Sequence, residues 1–342
     1  SFIDRVVILF LMAIGLNNFR YLLLARRIPK FTDDSSVLLT GIYSAFLGLL
    51  IRDAKVSIDL VDSLSLSDVR GIQSLWRCRP LYHLIQLPIS FIVEHLLFSN
   101  KHLSSIFVTT QVECDWLNRI HPYSTEKINI LSNSIASQLD NSAHGQNLRP
   151  TPLPKEFSLA FIGSLDWWVN RRMLMVALRL LDKFASIYDC VQIIQLHVYG
   201  EIFSHVTNFG NSYPAVKIVQ KGYFVDPDIV YIENHAAFLP NSIGRGFQNK
   251  LFTSLSIGLP TIAHVSMNPI RHKNNYQQII SSPNPVLFCD SDSAYMDALL
   301  QVFLMDQNHR MHFKRASHEF LNDFNQRIQT QFVTARRKIF IS

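Results

Sequence analysis

Short apolar runs separated by longer stretches of helical periodicity set the pattern of this chain. Ser36 to Thr40 reads as an apolar strand, Tyr43 to Ile51 as a helical run and Val56 to Val61 as a second strand. Such a strand, helix, strand unit is the building block of a parallel sheet. Further strands are expected at Ile106 to Thr110, Ile128 to Leu131, Ser158 to Ile162, Ile193 to Tyr199 and Val216 to Val219. A short apolar run at Phe238 precedes a glycine loop, and Thr261 to Val265 follows as the next strand. Helical periodicity marks the run WWVNRRMLMVALRLL, then Ser293 to Met305 and Phe313 to Phe340.

Two apolar stretches raise the question of a membrane. Val6 to Leu16 is too short to span a bilayer and lacks a following small-residue cleavage site, so it predicts a buried or surface-lying helix. Leu81 to Phe98 is interrupted by Pro88 and carries His83, Gln86 and Glu94, which predicts a buried helical pair rather than a span.

At 342 residues the chain exceeds the usual single-domain size, and 48% hydrophobic with 17% charged residues suffices for two cores and excludes wholesale disorder. Residues 138–155 shift to Asn, Ser, Gly and Pro, ending in PTPLP, and read as a linker. The net charge of +6 and a pI near 9.1 fit an anionic ligand, an anionic membrane surface or nucleic acid. Scattered charges and the absence of a nucleic-acid motif argue against the last. Arg20, Arg26, Arg27 and Lys30 interleave with leucines and aromatics, as on a solvated helix face or a membrane-surface patch. Cys78, Cys114, Cys190 and Cys289 fit no metal-ligand spacing and are read as reduced. His83, His95 and His102 are read as helix-surface residues.

Chemistry concentrates in Phe238 to Ile262. Gly244 and Gly246 stand between a strand and a helix N-terminus, where backbone amides and the helix dipole favour an anion, and Lys250 adds a full charge nearby. A plain turn and a solvated helix lysine are the bland alternatives. Gly258 followed by Pro260 closes the helix. Asp62 and Ser65 follow a strand end, where parallel sheets bind ligands, although Asp62 or Ser63 equally suits a helix cap.

GRGFQNKLFTSLSIGLP resembles the donor-site segment of group 1 glycosyltransferases, the retaining nucleotide-sugar enzymes of GT-B fold. IDLVDSLSLSDVR resembles the matching segment of the bacterial members that make surface polysaccharides. VTTQVECDWL, with Thr110 and Glu113, is similar to the family's Ser-x-x-Asp-x-x-x-Leu, and Ser132-Asn133-Ser134 to its Asn-Gly turn. Gly163-Ser164 through Asn170 is similar to its Gly-Ser/Asn-Met-x-Trp/Tyr-x-Pro-Asn, with Val169 in place of Pro. The likeness runs from about Ser36 to Val265. Thr253 and Arg245 stand where family members carry glutamates, and Ser164 where many carry the Arg of a Gly-Arg phosphate clamp.

The resemblance implies an α/β chain with two Rossmann-like domains facing across a cleft, the first strand of the N-terminal domain being missing from the sequence. Residues 1–137 would form the acceptor-side domain, 138–155 the linker, 156–312 the nucleotide-sugar domain and 313–342 a helix crossing back. It implies Asp62, Lys250 and Arg245 as catalytic residues. Donor contacts would come from Gly163, Ser164, Asn170, Gly200, Gly222, Tyr223, Gly244, Gly246, Gln248, Asn249 and Thr253, with Tyr223 or Phe224 either stacking on the base or packed in the core. Ser65 and Arg70 would face the acceptor. The expected activity is metal-independent sugar transfer with retention from a nucleotide-sugar, a substrate and not a cofactor, to a polysaccharide or lipid-linked acceptor. The expected place is the cytoplasm, peripheral to the inner membrane. The rival readings are a catalytically degenerate binding or scaffold protein and a sugar-nucleotide epimerase.

Overall fold

The structure is a computed structural model that describes residues 35–40, 48, 51, 54–61, 63–73, 80–132, 156–165, 168–188, 193–201, 212–224, 226–242, 248–268 and 285–340. The readings made for residues 1–34, the helical run of 43–51 and the linker fall wholly or mainly outside these residues.

Two all-parallel sheets organise the described residues. The first has four strands in chain order, β1 (Ser36–Thr40), β2 (Lys55–Val61), β3 (Leu103–Val108) and β4 (Ile128–Ile130). Val56, Ile58 and Leu60 on β2 pack with Ile106 and Val108 on β3. Over them lie Val93 and Leu97 of helix α2 (Pro80–Phe98) and Leu117 of α3 (Gln111–Ile120), while α1 (Leu64–Gln73) packs beside α2.

The second sheet holds β5 (Ser158–Ile162), β6 (Ile194–Tyr199), β7 (Val216–Gly222), β8 (Ala236–Leu239), β9 (Thr261–His264) and β10 (Val286–Cys289). Their spatial order is β10-β9-β8-β5-β6-β7, the doubly wound order of a Rossmann domain, with the switch point between β5 and β8. Both faces are covered, which is why these strands read as apolar runs. Leu159, Phe161, Leu196 and Val198 pack on α4 (Trp168–Ile187) and α7 (Asp292–Phe303). Ala160, Ile162, Ala237 and Leu239 pack on α5 (Pro227–Glu233), α6 (Asn249–Ile257) and the long α8 (Gln307–Phe340).

Helix α8 touches both sheet systems. Near its start the buried Arg310 donates to the carbonyls of Tyr231 and Asn234 and lies over the Tyr231 ring. Leu321, Phe324 and Ile328 join the second core, and Ala335 and Ile339 reach Phe107 on β3. Gln331 Oε1 accepts from Ser132 N at 3.3 Å.

Several elements differ from the sequence reading. Pro80–Phe98 is one helix and not a pair. Pro88 sits on its exposed side, and the carbonyl it leaves without a donor belongs to the exposed Leu84, so water can satisfy it. Strand β10 and helix α5 were not anticipated. No described helix is long and apolar enough to cross a membrane.

Gly258 closes α6 in the left-handed conformation, φ 83°, with its N–H on Leu255 O at 2.9 Å. A Cβ there would also lie 2.5 Å from Lys314 Cγ, near the root of a side chain whose ammonium rests over the Tyr231 ring, so the lysine would have to shift. Gly258→Ala should therefore cost at least about 1–2 kcal/mol, the backbone penalty, with the displacement of Lys314 added to it. Urea unfolding checks this, and an unchanged midpoint would contradict the left-handed cap.

Candidate active site

The second sheet gathers its glycines at one end. Gly163 follows β5, Gly200 follows β6 and Gly222 closes β7, and they are stitched together by Gly163 N to Tyr199 O and Gly200 N to Gly222 O, both 2.9 Å. A Cβ on Gly200 would lie 2.8 Å from the backbone of Gly163 and Ser164, so only glycine permits this approach.

Across the switch point, one side-chain bridge ties the loop after β5 to the helix after β8. The buried Asn170, in the first turn of α4, donates Nδ2 to Ser164 O at 2.6 Å. Its Oδ1 accepts from Lys250 Nζ at 2.5 Å. Lys250 lies in the first turn of α6, behind the buried Gln248 at the N-cap. It is partly buried, and among the described residues its ammonium meets no carboxylate. Desolvation alone lowers its pKa to about 8. Among the described residues this cation is held by a neutral amide oxygen and its charge meets no opposite charge, and an entering anion would supply one.

Around this bridge the other donor-side residues divide. Tyr223 is 73% exposed with its hydroxyl 3.5 Å from Glu201 Oε2, whereas Phe224 packs edge-on against Tyr199. The exposed ring is thus Tyr223, and Phe224 belongs to the core. Asn249 is exposed, and the Thr253 hydroxyl donates to Asn249 O at 3.0 Å, one turn back along its own helix. Arg172 is partly buried and its pKa is lowered by desolvation, while Arg171 is exposed. Asp62, Gly244, Arg245 and Gly246 lie outside the described residues.

In the first domain, two buried carboxylates receive the segment after β2. Glu113 accepts from Ser63 N and Thr109 Oγ1 at 3.0 Å, and from Thr110 Oγ1 and N at 3.0 and 3.2 Å. Thr110 and Glu113 form the capping box of α3. Glu94, fully buried on α2, accepts from Ser63 Oγ at 3.0 Å, Ser65 N at 3.1 Å and Ser65 Oγ at 2.5 Å. Trp116 Nε1 donates to Ser65 Oγ at 2.8 Å. Ser65 is therefore enclosed and committed within its own domain, and Ser63 caps α1 through Leu66 N at 3.3 Å. Arg70 is partly exposed in the last turn of α1.

The histidine reading needs correction. His83 is no free surface group: its Nδ1 lies 2.9 Å from Asp68 Oδ1, and Ser90 donates to the other carboxylate oxygen at 2.6 Å. His102 sits in a turn, and only the exposed His95 is on a helix surface, 2.8 Å from the Tyr123 hydroxyl. Cys114 and Cys289 are buried free thiols, and no described group of His, Cys, Asp and Glu could hold a metal ion. Sequence reasoning missed Glu94, Trp116 and Asp68. A signal for Glu94 was present, since Gln86, Ser90 and Glu94 recur every four residues in an otherwise apolar helix.

No protein-family model and no curated protein matches the chain. Solved structures do. Sucrose-phosphate synthase from Thermosynechococcus elongatus superposes with a TM-score of 0.61 at 13% identity, covering 89% of this chain and 73% of that one. A UDP-forming α,α-trehalose-phosphate synthase from Burkholderia vietnamiensis gives 0.60 at 8% identity, over 96% and 79%. A trehalose-6-phosphate synthase studied for glycosyl transfer with retention gives 0.59 at 9%, over 96% and 78%. These are GT-B glycosyltransferases, and the chain shares their α/β fold of two parallel sheets consistent with two Rossmann-like domains.

The bridge predicts an unusual stability profile. Because the Lys250 pKa is about 8 when folded against 10.5 when unfolded, folding expels its proton between those values, and wild-type stability rises with pH across that window. Lys250→Met should stabilise the ligand-free protein at pH 7 by on the order of 1–3 kcal/mol, with the gain fading between about pH 8 and 10.5. Thermal unfolding across pH checks it, and a variant less stable than wild type at pH 7 would contradict it.

Proposed function

We propose that the protein is a glycosyltransferase that moves a sugar from a nucleotide donor to a hydroxyl acceptor. The observation that carries the reading is the Lys250 ammonium, desolvated and meeting no carboxylate among the described residues, at the switch point of a Rossmann sheet. In glycosyl transfer the bond between the sugar carbon and the diphosphate breaks, and negative charge develops on the leaving phosphate. A preorganised cation there lowers the barrier more than any other single element. The acceptor oxygen bonds to the same carbon, and its proton ends on the released diphosphate.

In this reading Lys250, the amides at Gly244 and Gly246, and Arg245 receive the diphosphate without a metal ion. Gly163, Ser164, Gly200 and Gly222 let the backbone approach the nucleotide, and the exposed Tyr223 ring offers a stacking face to the base. Gln248 and Asn249 border the phosphates, while Asp62 and Arg70 address the acceptor, with Ser65 fixing the loop that carries Asp62. Retention is supported by the shared fold with a retaining synthase. A polysaccharide or lipid-linked acceptor is supported by the likeness of IDLVDSLSLSDVR to polysaccharide enzymes.

A second reading, a nucleotide-binding protein without turnover, draws on Thr253. Its hydroxyl is spent on its own helix and offers the ribose no carboxylate. Incubation with UDP-, GDP- and ADP-sugars plus acceptor oligosaccharides, followed by diphosphate release and product mass, separates the two. Transfer is expected, and Lys250→Ala should lower kcat by roughly 100-fold or more. Binding without release in every combination would establish the second reading. Thr253→Glu should tighten nucleoside diphosphate binding by about 1 kcal/mol, a gain that a 2′,3′-dideoxy analogue should erase.

A further inference from the structure

Two exposed side chains stand together at the outer edge of the second sheet. Glu201 follows Gly200 at the end of β6, and Tyr223 follows Gly222 at the end of β7. Gly200 N donates to Gly222 O at 2.9 Å, so the two residues are held in register on adjacent strands. The backbone of Glu201 is fixed a second time, because its carbonyl accepts from Leu165 N at 2.9 Å in the loop after β5. The Tyr223 hydroxyl donates to Glu201 Oε2 at 3.5 Å. The carboxylate therefore sits at the rim of the ring, where the edge of a flat ligand stacked on that ring would meet it.

Electrostatics makes this carboxylate worth explaining. Among the described residues it meets no lysine or arginine, and Lys221 on β7 is paired with Glu233 at 2.9 Å. An ionised carboxylate accepts hydrogen bonds and donates none, so beside an anionic ligand it opposes binding unless the ligand turns N–H groups toward it. The sheet order sets which part of the ligand it faces. From the loop after β5, to which Asn170 ties Lys250, strand β7 lies two strands away, about 10 Å. A nucleoside diphosphate spans a similar distance from its phosphates to its base.

We propose, on the glycosyltransferase reading, that Glu201 selects a guanine base lying on Tyr223, so that the donor is a guanosine diphosphate sugar. The pairing edge of guanine offers two adjacent donors, the ring N1–H and the exocyclic N2 amine. They match the two oxygens of one carboxylate, and bidentate, charge-assisted bonds of this kind are the strong ones. Uracil presents a single N–H between two carbonyls, which the carboxylate would repel. Adenine and cytosine present an amine beside a bare ring nitrogen, an acceptor facing an acceptor. The long contact from Tyr223 orients the carboxylate and leaves its other lone pairs to the base.

Calorimetric titration of the full chain with GDP, IDP, UDP, ADP and CDP tests the assignment. GDP is expected to bind about tenfold or more tightly than UDP, ADP and CDP, the discrimination of one bidentate pair, with IDP, which lacks the exocyclic amine, in between. Glu201→Gln should weaken GDP about tenfold or more without weakening UDP, and should keep the wild-type Tm because the side chain is exposed. A wild type that binds GDP no better than UDP would overturn the proposal, with no variant needed. So would a Glu201→Gln variant that loses affinity for every nucleotide alike, which would place the carboxylate on the ribose they share. Incubation with the sugar forms and acceptor oligosaccharides separates this from the transferase reading. Selective GDP binding without transfer from any GDP-sugar would count against the transferase and leave the base assignment standing. Transfer from UDP-sugars by a protein with no preference for GDP would do the reverse, and binding of no nucleotide would overturn both.

Discussion

The bond from Lys250 to Asn170 is the constraint on which the candidate site rests. It spans the switch point of the second sheet, where the chain leaves β5 for one side and later returns as β8 on the other, so the loops that follow diverge and leave a crevice. Asn170 holds the two sides together with one amide group, its nitrogen on Ser164 O and its oxygen on Lys250. A carboxylate in place of Asn170 would give a stronger pair and a neutral site. The amide leaves the ammonium oriented and its charge unspent, as recognition of an anion requires.

The first domain solves a different problem with the opposite charge. Glu94 and Glu113 are buried, and their oxygens accept from hydroxyls and backbone amides, with His121 Nε2 a further 3.6 Å from Glu94 Oε2. These hydrogen bonds help to keep both side chains inside. The same arrangement fixes the segment after β2, and it forces a polar stripe onto the inner face of α2.

Much of this was legible in the sequence, for reasons specific to each element. Strand β5 announced itself because both faces of the sheet are covered, leaving an apolar run before a glycine break, and β6 and β9 remained legible although Gln195, His197 and His264 interrupt or end their apolar residues. The cap at Gly258 was legible because glycine before proline has few other uses. Lys250 stood out by its place after the glycine loop, but its bond to Asn170 joins residues 80 positions apart and could emerge only from the fold. Strand β10 went unread, and α5 is a two-turn helix whose Asp226-Pro227 start was its one marker. Pro88 reads as a break in the sequence, whereas its position on the exposed side of the helix makes the missing donor tolerable. His83 was misread because Asp68 lies on a neighbouring helix, invisible to local spacing.

The central claim is that Lys250 is a desolvated cation awaiting an anion. Carbon-13 NMR of the lysine ε-carbons, with Lys250 assigned by substitution, measures its titration directly in the absence and presence of saturating UDP. The account predicts a pKa near 8 in the free protein, rising by about one pH unit or more when the diphosphate is bound. Titration at the ordinary lysine value in the free protein, unmoved by nucleotide, would contradict it.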